Sequence, residues 1–301
     1  MRTLSVEGSE PGSAERFAFG ENWRSFLEHF DESRRETAVT SMRSMLGMES
    51  MEGLRFLDLG CGSGIFSLAA RDLGAEVTSI DYDPQSVGCA KELRRRFYPD
   101  SAGWDVGQGD ALDVAGMTGL GYFDIVYSWG VLHHTGDLWK AMGNATNAVC
   151  DGGRLFVAIY NDQGMNSKIW KRIKRRFGQL PPPLRKPYAA IVMLPRELHL
   201  LSVSLVRDGG RSYFRSWTHY GEDRGMSRWH DLLDWVGGYP FEVAKPEEVF
   251  NFCRDRGFVL ESMRTCAGGL GCNEFVLRRT GCLPGAAGRQ ADPVDPTLRT
   301  R

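Results

Sequence analysis

The chain of 301 residues has little of what marks a stapled, a membrane-spanning or a polyelectrolyte protein. Its seven cysteines, at 61, 89, 150, 253, 266, 272 and 282, are odd in number and form no CxxC pair, so neither a zinc framework nor a disulfide scaffold is expected. No window offers the roughly 18 uncharged apolar residues of a membrane span. The first stretch, MRTLSVEGSEPGSAERFAFG, lacks an apolar signal-peptide core. A formal net charge of -1 gives no global pull toward nucleic acid. There is no internal repeat, and no His/Cys/Asp/Glu spacing calls for a metal. What is present, 42% hydrophobic and 25% charged residues, excludes a disordered or collagenous chain. At this length a fold buries about three quarters of its extended surface, enough for a large core plus a cap. The expectation is a reduced, soluble, cytoplasmic protein of enzyme size.

Residues 1–16, rich in Gly, Ser and Glu, and residues 281–301, almost without apolar side chains, are expected to be disordered. Between them strand and helix patterns alternate. Leu54–Leu59 is an apolar run ending in glycines, followed by helical spacing over Ile65–Leu73. Glu76–Ile80, Trp104–Val106, Phe123–Ser128 and Arg154–Tyr160 read as further strands, the last after a turn at Asp151-Gly-Gly153. Gln85–Tyr98 and Asp137–Val149 read as helices. Strands spaced by helices imply right-handed crossovers and a mainly parallel α/β sheet. From Asn161 to Lys245 the alternation stops, and a block of this length must carry structure of its own. Pro246–Arg256 then reads as a helix, and Gly257–Cys266 with Asn273–Arg279 as a hairpin. Upstream, Asp31–Leu46 reads as a helix opened by a capping box at Ser33-x-x-Glu36.

The most informative stretch is Phe56-Leu-Asp-Leu-Gly-Cys-Gly-Ser-Gly64. Glycines at 60, 62 and 64, between a strand and a helix, let backbone turn tightly and approach a ligand. A helix N-terminus behind them offers free N–H groups to ligand oxygens. Asp58 closes the first strand, Asp81 ends the second, and Asp110 follows the third. An acid at the second strand end can accept both hydroxyls of a ribose, and Asp110 could accept from an adenine amino group. Each acid alone could equally cap a helix. Together they converge on one crevice at the carboxyl ends of the strands.

These residues, with Ser79-Ile-Asp-Tyr-Asp83, Gly109-Asp-Ala111, Phe123-Asp-Ile-Val-Tyr-Ser128, Val131-Leu-His-His134 and Asp151-Gly-Gly153, resemble the class I S-adenosylmethionine-dependent methyltransferases. Within that family the chain looks most like the ubiquinone-biosynthesis-type and general small-molecule branch. The resemblance implies a Rossmann-like seven-stranded methyltransferase sheet with a terminal antiparallel hairpin. The cofactor-binding domain would be 51–160 plus 246–280, with a mostly helical substrate-binding cap at 161–245 and a helical cover at 17–50. It implies S-adenosyl-L-methionine as cofactor, S-adenosyl-L-homocysteine as product, and a small-molecule acceptor with an O, N or C nucleophile, of secondary-metabolite, sugar or quinol type. Gly60 and Gly62 would hold the methionine part, Asp81 the ribose and Asp110 the adenine, with Cys61, Gly64, Tyr82 and Ala111 also at the cofactor. Asp58 would support the loop or bind the methionine amino group, while Ser128 and Trp129 flank the methionine end. Trp23 would close the site or pack as core. A nicotinamide-dependent oxidoreductase is the competing class, but its GxGxxG spacing is replaced here by GxGxG.

In-line methyl transfer needs a positioned nucleophile, exclusion of water and sometimes a base. Candidate catalytic residues are His133 and His134 after the fourth strand and Tyr160 and Asp162 after the fifth. One histidine is expected to be packed or bonded to backbone, and Asn161 and Asp162 could bind substrate or cap the next helix. The segment 211–231 supplies the substrate candidates Tyr213, Trp217, His219, Tyr220, Arg224 and His230. At least two of Trp217, Trp229 and Trp235 are expected in the cap's own core. Ser167–Phe177 is basic and amphipathic, with Ile169, Ile173 and Phe177 on one stripe. It reads as a solvated face over the catalytic domain, as a peripheral membrane contact, or as a contact to RNA phosphates. No RNA-binding module accompanies it, so nucleic acid is not the expected partner. An RNA methyltransferase and a non-catalytic cofactor-binding scaffold are the alternative functions. The oligomeric state has no signature.

Overall fold

The computed structural model describes residues 30–100, 103–218 and 228–281, with backbone only at 230, 231 and 234. Its seven strands are β1 (Arg55–Leu59), β2 (Glu76–Asp81), β3 (Trp104–Gln108), β4 (Phe123–Trp129), β5 (Val149–Tyr160), β6 (Phe258–Arg264) and β7 (Cys272–Arg279). They form one sheet in the order β3-β2-β1-β4-β5-β7-β6. β1 to β5 are parallel, and β7 runs antiparallel between β5 and β6. The alternation of apolar strand and helix thus produces the expected sheet and its terminal hairpin.

Helices cover both faces. On one, α1 (Glu32–Leu46), α2 (Ile65–Asp72) and α3 (Pro84–Phe97) bury Met42, Leu68 and Leu93 against Phe56, Tyr127 and Phe156 of the sheet. On the other, α4 (Val114–Gly119), α5 (Leu138–Asn147) and α10 (Pro246–Arg254) pack Met117, Met142 and Val249 against Leu57, Val126, Leu155 and Phe275. Parallel strands buried on both faces read as continuous apolar runs, as Phe56–Leu59 and Leu155–Ile159 do. α1 is held to α2 by Arg35, whose guanidinium donates to both oxygens of Asp72 at 2.6 and 2.7 Å.

Between β5 and α10 the chain builds the cap: α6 (Met165–Gln179), α7 (Pro182–Asp208), α8 (Arg211–Thr218) and α9 (Arg228–Gly237). Its core is Phe177, Ala189, Met193, Leu232 and Val236, with Trp170, Ile173, Trp229 and Trp235 packed around them. The apolar stripe of α6 is therefore spent largely inside the cap. Lys174, in the run read as a solvated cationic face, is buried.

Three local expectations need correction. β5 starts at Val149, not Arg154: Phe123 pairs with Val149 and Ile125 with Arg154, so Asp151-Gly-Gly153 is an extra loop bulged out of a continuing ladder. The N-cap of α1 is Asp31, whose carboxylate accepts from the Arg34 N–H at 3.0 Å. Ser33 lies inside the helix, because an aspartate two residues earlier caps equally well and brings Glu32 into the positive first turn. α4 has no counterpart in the sequence reading. It is a six-residue helix with two glycines, set by Asp113 capping the Ala115 N–H at 3.1 Å.

Candidate active site

The strand order reverses between β1 and β4, with β2 and β3 on one side and β5 on the other, so the crevice outside their carboxyl ends is where a ligand fits. The turn leaving β1 is built by the glycines. Gly60, Gly62 and Gly64 all have positive φ, at 83°, 53° and 83°. A Cβ on Gly60 would meet the Val131 Cγ1 at 2.3 Å. The turn is pinned to β2, since Gly60 and Cys61 N–H both donate to the Ile80 carbonyl, at 2.8 and 3.1 Å. Asp81 Oδ2 accepts from Gly62 N–H at 2.9 Å, and its Oδ1 from Asp83 N–H at 2.9 Å. Burial pushes the Asp81 carboxyl up. Gly64 opens α2 without a side-chain cap of its own, while the Ser67 N–H in the first turn is turned toward the Asp58 carboxyl.

Asp58 sits under this turn, within β1. Its register partners are Ser79 on β2 and Tyr127 on β4. A chain of hydrogen bonds crosses the buried face: Trp104 Nε1 donates to Ser79 Oγ at 2.8 Å, Ser79 to Ser67 Oγ at 2.7 Å, and Ser67 to Asp58 Oδ2 at 2.5 Å. Burial raises the Asp58 carboxyl to about 7, against the pull of the Ser67 hydroxyl. Asp58 thus ties the first turn of α2 to the sheet. Ser67, Ser79 and Trp104 were not singled out from sequence; the only signal was that Ser79 stands two residues before Asp81, where period two puts both on one face.

The remaining cofactor-side candidates surround the same strand ends. The Cys61 thiol is buried and pushed well up, so its backbone is what serves the turn. Asp110 Oδ1 accepts from Leu112 N–H at 2.9 Å, and the Ala111 carbonyl accepts from Asn144 at 2.8 Å. Ser128 is buried and donates to the Leu59 carbonyl at 2.8 Å, joining β4 to β1 at the reversal point. The rings of Tyr82 and Trp129 are exposed, and the Trp129 Nε1 donates to Glu274 at 3.0 Å.

Beyond β4, a 3₁₀ turn at Leu132–His134 brings both histidines to Tyr160 at the end of β5. The His133 ring lies 3.9 Å from that of Tyr160, centroid to centroid. Its Nδ1 accepts from the Tyr160 N–H at 3.3 Å, which leaves the proton of a neutral ring on Nε2. That Nε2 is buried and has no hydrogen-bond partner among the described residues. His134 Nδ1 lies 2.6 Å from the Pro240 carbonyl, so it carries the proton and Nε2 holds the lone pair. Burial drives both imidazoles down, His134 to about 3, with the Lys174 charge adding to the effect. Phe241 and Trp235 close on the Tyr160 ring at 5.4 and 5.7 Å. Lys174 donates to the Trp235 carbonyl and lies over the Trp235 and Phe241 rings at 4.4 and 4.9 Å.

The segment returning from the cap seals this corner. Glu242 N–H donates to the His133 carbonyl at 2.9 Å, and Ala244 N–H to the Tyr160 carbonyl at 3.0 Å. Asn161 is spent on the hairpin, donating to Gly269 and accepting from Asn273 at 3.0 Å. Asp162 shapes the turn into α6 by accepting from Gly164 N–H at 2.8 Å. Tyr213 and Trp217 hold Arg228 between them, at 5.2 and 4.6 Å from their ring centres. Arg228 in turn pairs with Glu197 at 2.7 Å. These four sequence candidates therefore have structural partners. Trp23, His219, Tyr220 and Arg224 lie outside the described residues, as does the side chain of His230. Among the described residues no cluster of three or more His, Cys, Asp or Glu could hold a metal.

Comparison with known proteins finds likeness in the first half of the sheet. Residues 57–157 match the family described as "Methyltransferase domain". The chain is 32% identical over 119 residues to a ubiquinone biosynthesis O-methyltransferase of Methylobacterium sp. (strain 4-46), covering 40% of this chain and 46% of that protein. It is 34% identical over 111 residues to the enzyme of that name from Rhizobium leguminosarum bv. trifolii, covering 37% and 42%. Magnesium protoporphyrin IX methyltransferase from Synechocystis PCC 6803 aligns with 89% of this chain and 90% of its own, at 15% identity and TM-score 0.48. Residues 57–157 are thus similar to a methyltransferase domain, and they contribute β1 to β4 and most of β5 to the sheet. The match spans less than half the length of the two curated relatives, and the cap falls outside it.

Proposed function

We propose that the protein binds S-adenosyl-L-methionine and transfers its methyl group to a small-molecule acceptor held beneath the cap. One observation carries the reading: a glycine turn, a helix N-terminus opened by Gly64 and Asp81 meet at the point where the strand order reverses. This donor and acceptor set fits the cofactor. The α2 amides suit a carboxylate, Asp81 a ribose diol and Asp110 an adenine amino group. When bound, the cofactor supplies a methyl group already activated on a cationic sulfur.

The chain's own residues then orient the acceptor and exclude water. The aromatic wall of Tyr160, His133 and His134, backed by Phe241 and Trp235, favours a flat, phenol- or quinol-like acceptor. His133 offers an Nε2–H as donor toward the acceptor, and both rings are neutral at physiological pH. The curated relatives are named as O-methyltransferases, which agrees with a hydroxyl nucleophile. The same reading puts the enzyme in the cytoplasm, where free thiols persist.

Calorimetry with S-adenosylhomocysteine, S-adenosylmethionine and NAD tests the cofactor. The first two should bind and NAD should not. Asp81→Ala should weaken binding about tenfold or more, since it removes a hydrogen bond to a charged acceptor. Unchanged affinity in that variant, or binding of NAD alone, overturns the reading. Tight, salt-sensitive tRNA binding would transfer the acceptor from small molecules to RNA.

A further inference from the structure

α7 is bounded by Pro182 at its first turn and by Gly209 in the left-handed conformation at its end. At about 1.5 Å per residue it is roughly 40 Å long. One face serves the cap, where Ala189 and Met193 are buried. The other carries Leu184, Ile191, Leu198 and Leu205 at intervals of seven residues, with Leu194 and Val206 beside them. All six are exposed, Ile191 at 70% and Val206 at 91%. By length and composition this helix could span a bilayer. Its position argues that it lies flat instead: Glu197 at mid-helix pairs with Arg228, and a whole face is committed to the cap.

Charge identifies what covers the stripe. Between Asn161 and Thr218 there are twelve Lys and Arg against three Asp and Glu, a formal charge of +9 in a chain whose total is -1. Of the three acids, Glu197 is paired with Arg228, Asp208 caps Ser212, and Asp162 shapes a turn. On α7 itself Lys186, Arg196 and Arg207 are exposed. A helix is about 10 Å thick, close to the Debye length at physiological salt, so these cations still act on a surface touching the stripe. We propose that the exposed face of α7 docks on an anionic lipid bilayer, its apolar stripe entering the interface while the cations of the cap neutralise the headgroups. A second copy fits less well, because two strongly positive faces would meet. RNA fits less well, because an aliphatic stripe offers nothing to phosphates. The proposal is independent of the acceptor chemistry, since vesicle binding needs neither donor nor acceptor.

The test is co-sedimentation of the full chain with vesicles of phosphatidylcholine alone or mixed with phosphatidylglycerol. Binding should require phosphatidylglycerol and weaken at high salt. Leu198→Glu should lower the partition about tenfold or more, whereas Val259→Glu, at an exposed apolar position on β6, should leave it unchanged. Calorimetry with S-adenosylhomocysteine shows that each variant keeps its catalytic domain. A second stripe variant, Ile191→Glu, repeats the measurement should Leu198→Glu not fold. Equal binding of both variants, or no binding to anionic vesicles, overturns the proposal. A concentration-dependent dimer that Leu198→Glu dissolves hands the face to a second copy instead. Hydrogen-exchange protection of Ile191–Leu198 without vesicles, greater than helix formation gives elsewhere in the cap, also overturns it, by showing the face already covered by the chain.

Discussion

Asp58 holds a carboxyl group in the sheet interior, and the fate of its proton has a measurable consequence. Burial lifts its pKa from the ordinary 3.8 to about 7, while the unfolded chain keeps the ordinary value. Between those values the folded protein holds a proton that the unfolded chain releases. Stability from this group is therefore full below about pH 4 and is lost as pH rises through about 7, on the order of 4 kcal/mol in all. Asp58→Asn keeps an acceptor for the Ser67 hydroxyl and removes the charge. Thermal unfolding followed from pH 5 to pH 8 should show the wild-type midpoint falling more steeply than that of the Asp58→Asn variant, in which the raised Asp81 and Glu242 carboxyls still act; parallel curves would refute the assignment. The histidines give the opposite kind of expectation. With both imidazoles driven far below their usual range, neither should titrate between pH 5 and 8. NMR of the ring protons, assigned through His133→Gln and His134→Gln, should show flat curves for these two residues. A midpoint near 6.5 in either would mean that the Tyr160 corner is open to water.

At the scale of elements, the turn after β1 and the loop after β4 are fitted to each other. Gly60→Ala places a Cβ 2.3 Å from Val131 and also forces alanine to a φ of 83°. Both terms destabilise, together by about 2 to 4 kcal/mol. Adding Val131→Ala removes the two Cγ contacts and leaves a 2.8 Å approach to its Cβ together with the backbone strain, so the double variant should recover only part of the loss in a denaturant titration. Full recovery would mean that neither the φ nor the remaining Cβ approach costs anything; no recovery, that the Val131 methyls are not the obstacle. This pairing also shows what was legible in the chain. The glycines, Asp81 and the strand–helix alternation could be read because local spacing fixes them. Val131 against Gly60, and the bonds from Trp104 through Ser79 and Ser67 to Asp58, depend on the register between strands that are distant in sequence. Lys174 looked like one more exposed cation because a helix pattern gives its apolar face but not which polar residue the neighbouring elements enclose. The aromatics of 211–217 were legible as a cluster, yet their density reflects a built-in Arg228 site rather than surplus functional groups. Asp151-Gly-Gly153 has the composition of a turn, and only the pairing of Val149 with Phe123 shows that the strand begins before it.

At the scale of the whole molecule the distribution of charge matters more than its sum. The cap segment 161–218 carries +9, so the rest of the chain carries -10, and the near-neutral total hides a strongly dipolar protein. At low ionic strength the Debye length is about 30 Å, comparable with the length of α7, so a charged matrix senses one end of the molecule before the other. The protein should therefore be retained at low salt on both anion and cation exchangers at pH 7.5, although its net charge alone predicts flow-through on the latter. Lys168, Arg172 and Arg175 are exposed on α6, whose buried side already supplies Lys174 and Phe177 to the interior. Changing these three to Glu reverses three charges without touching the cap core, and should abolish cation-exchange retention while leaving S-adenosylhomocysteine binding intact. If the wild-type chain passes through the cation exchanger at low salt, the cap does not present its cations as a common surface. The electrostatic half of the bilayer-docking proposal would then fall, even were the apolar stripe of α7 to prove exposed.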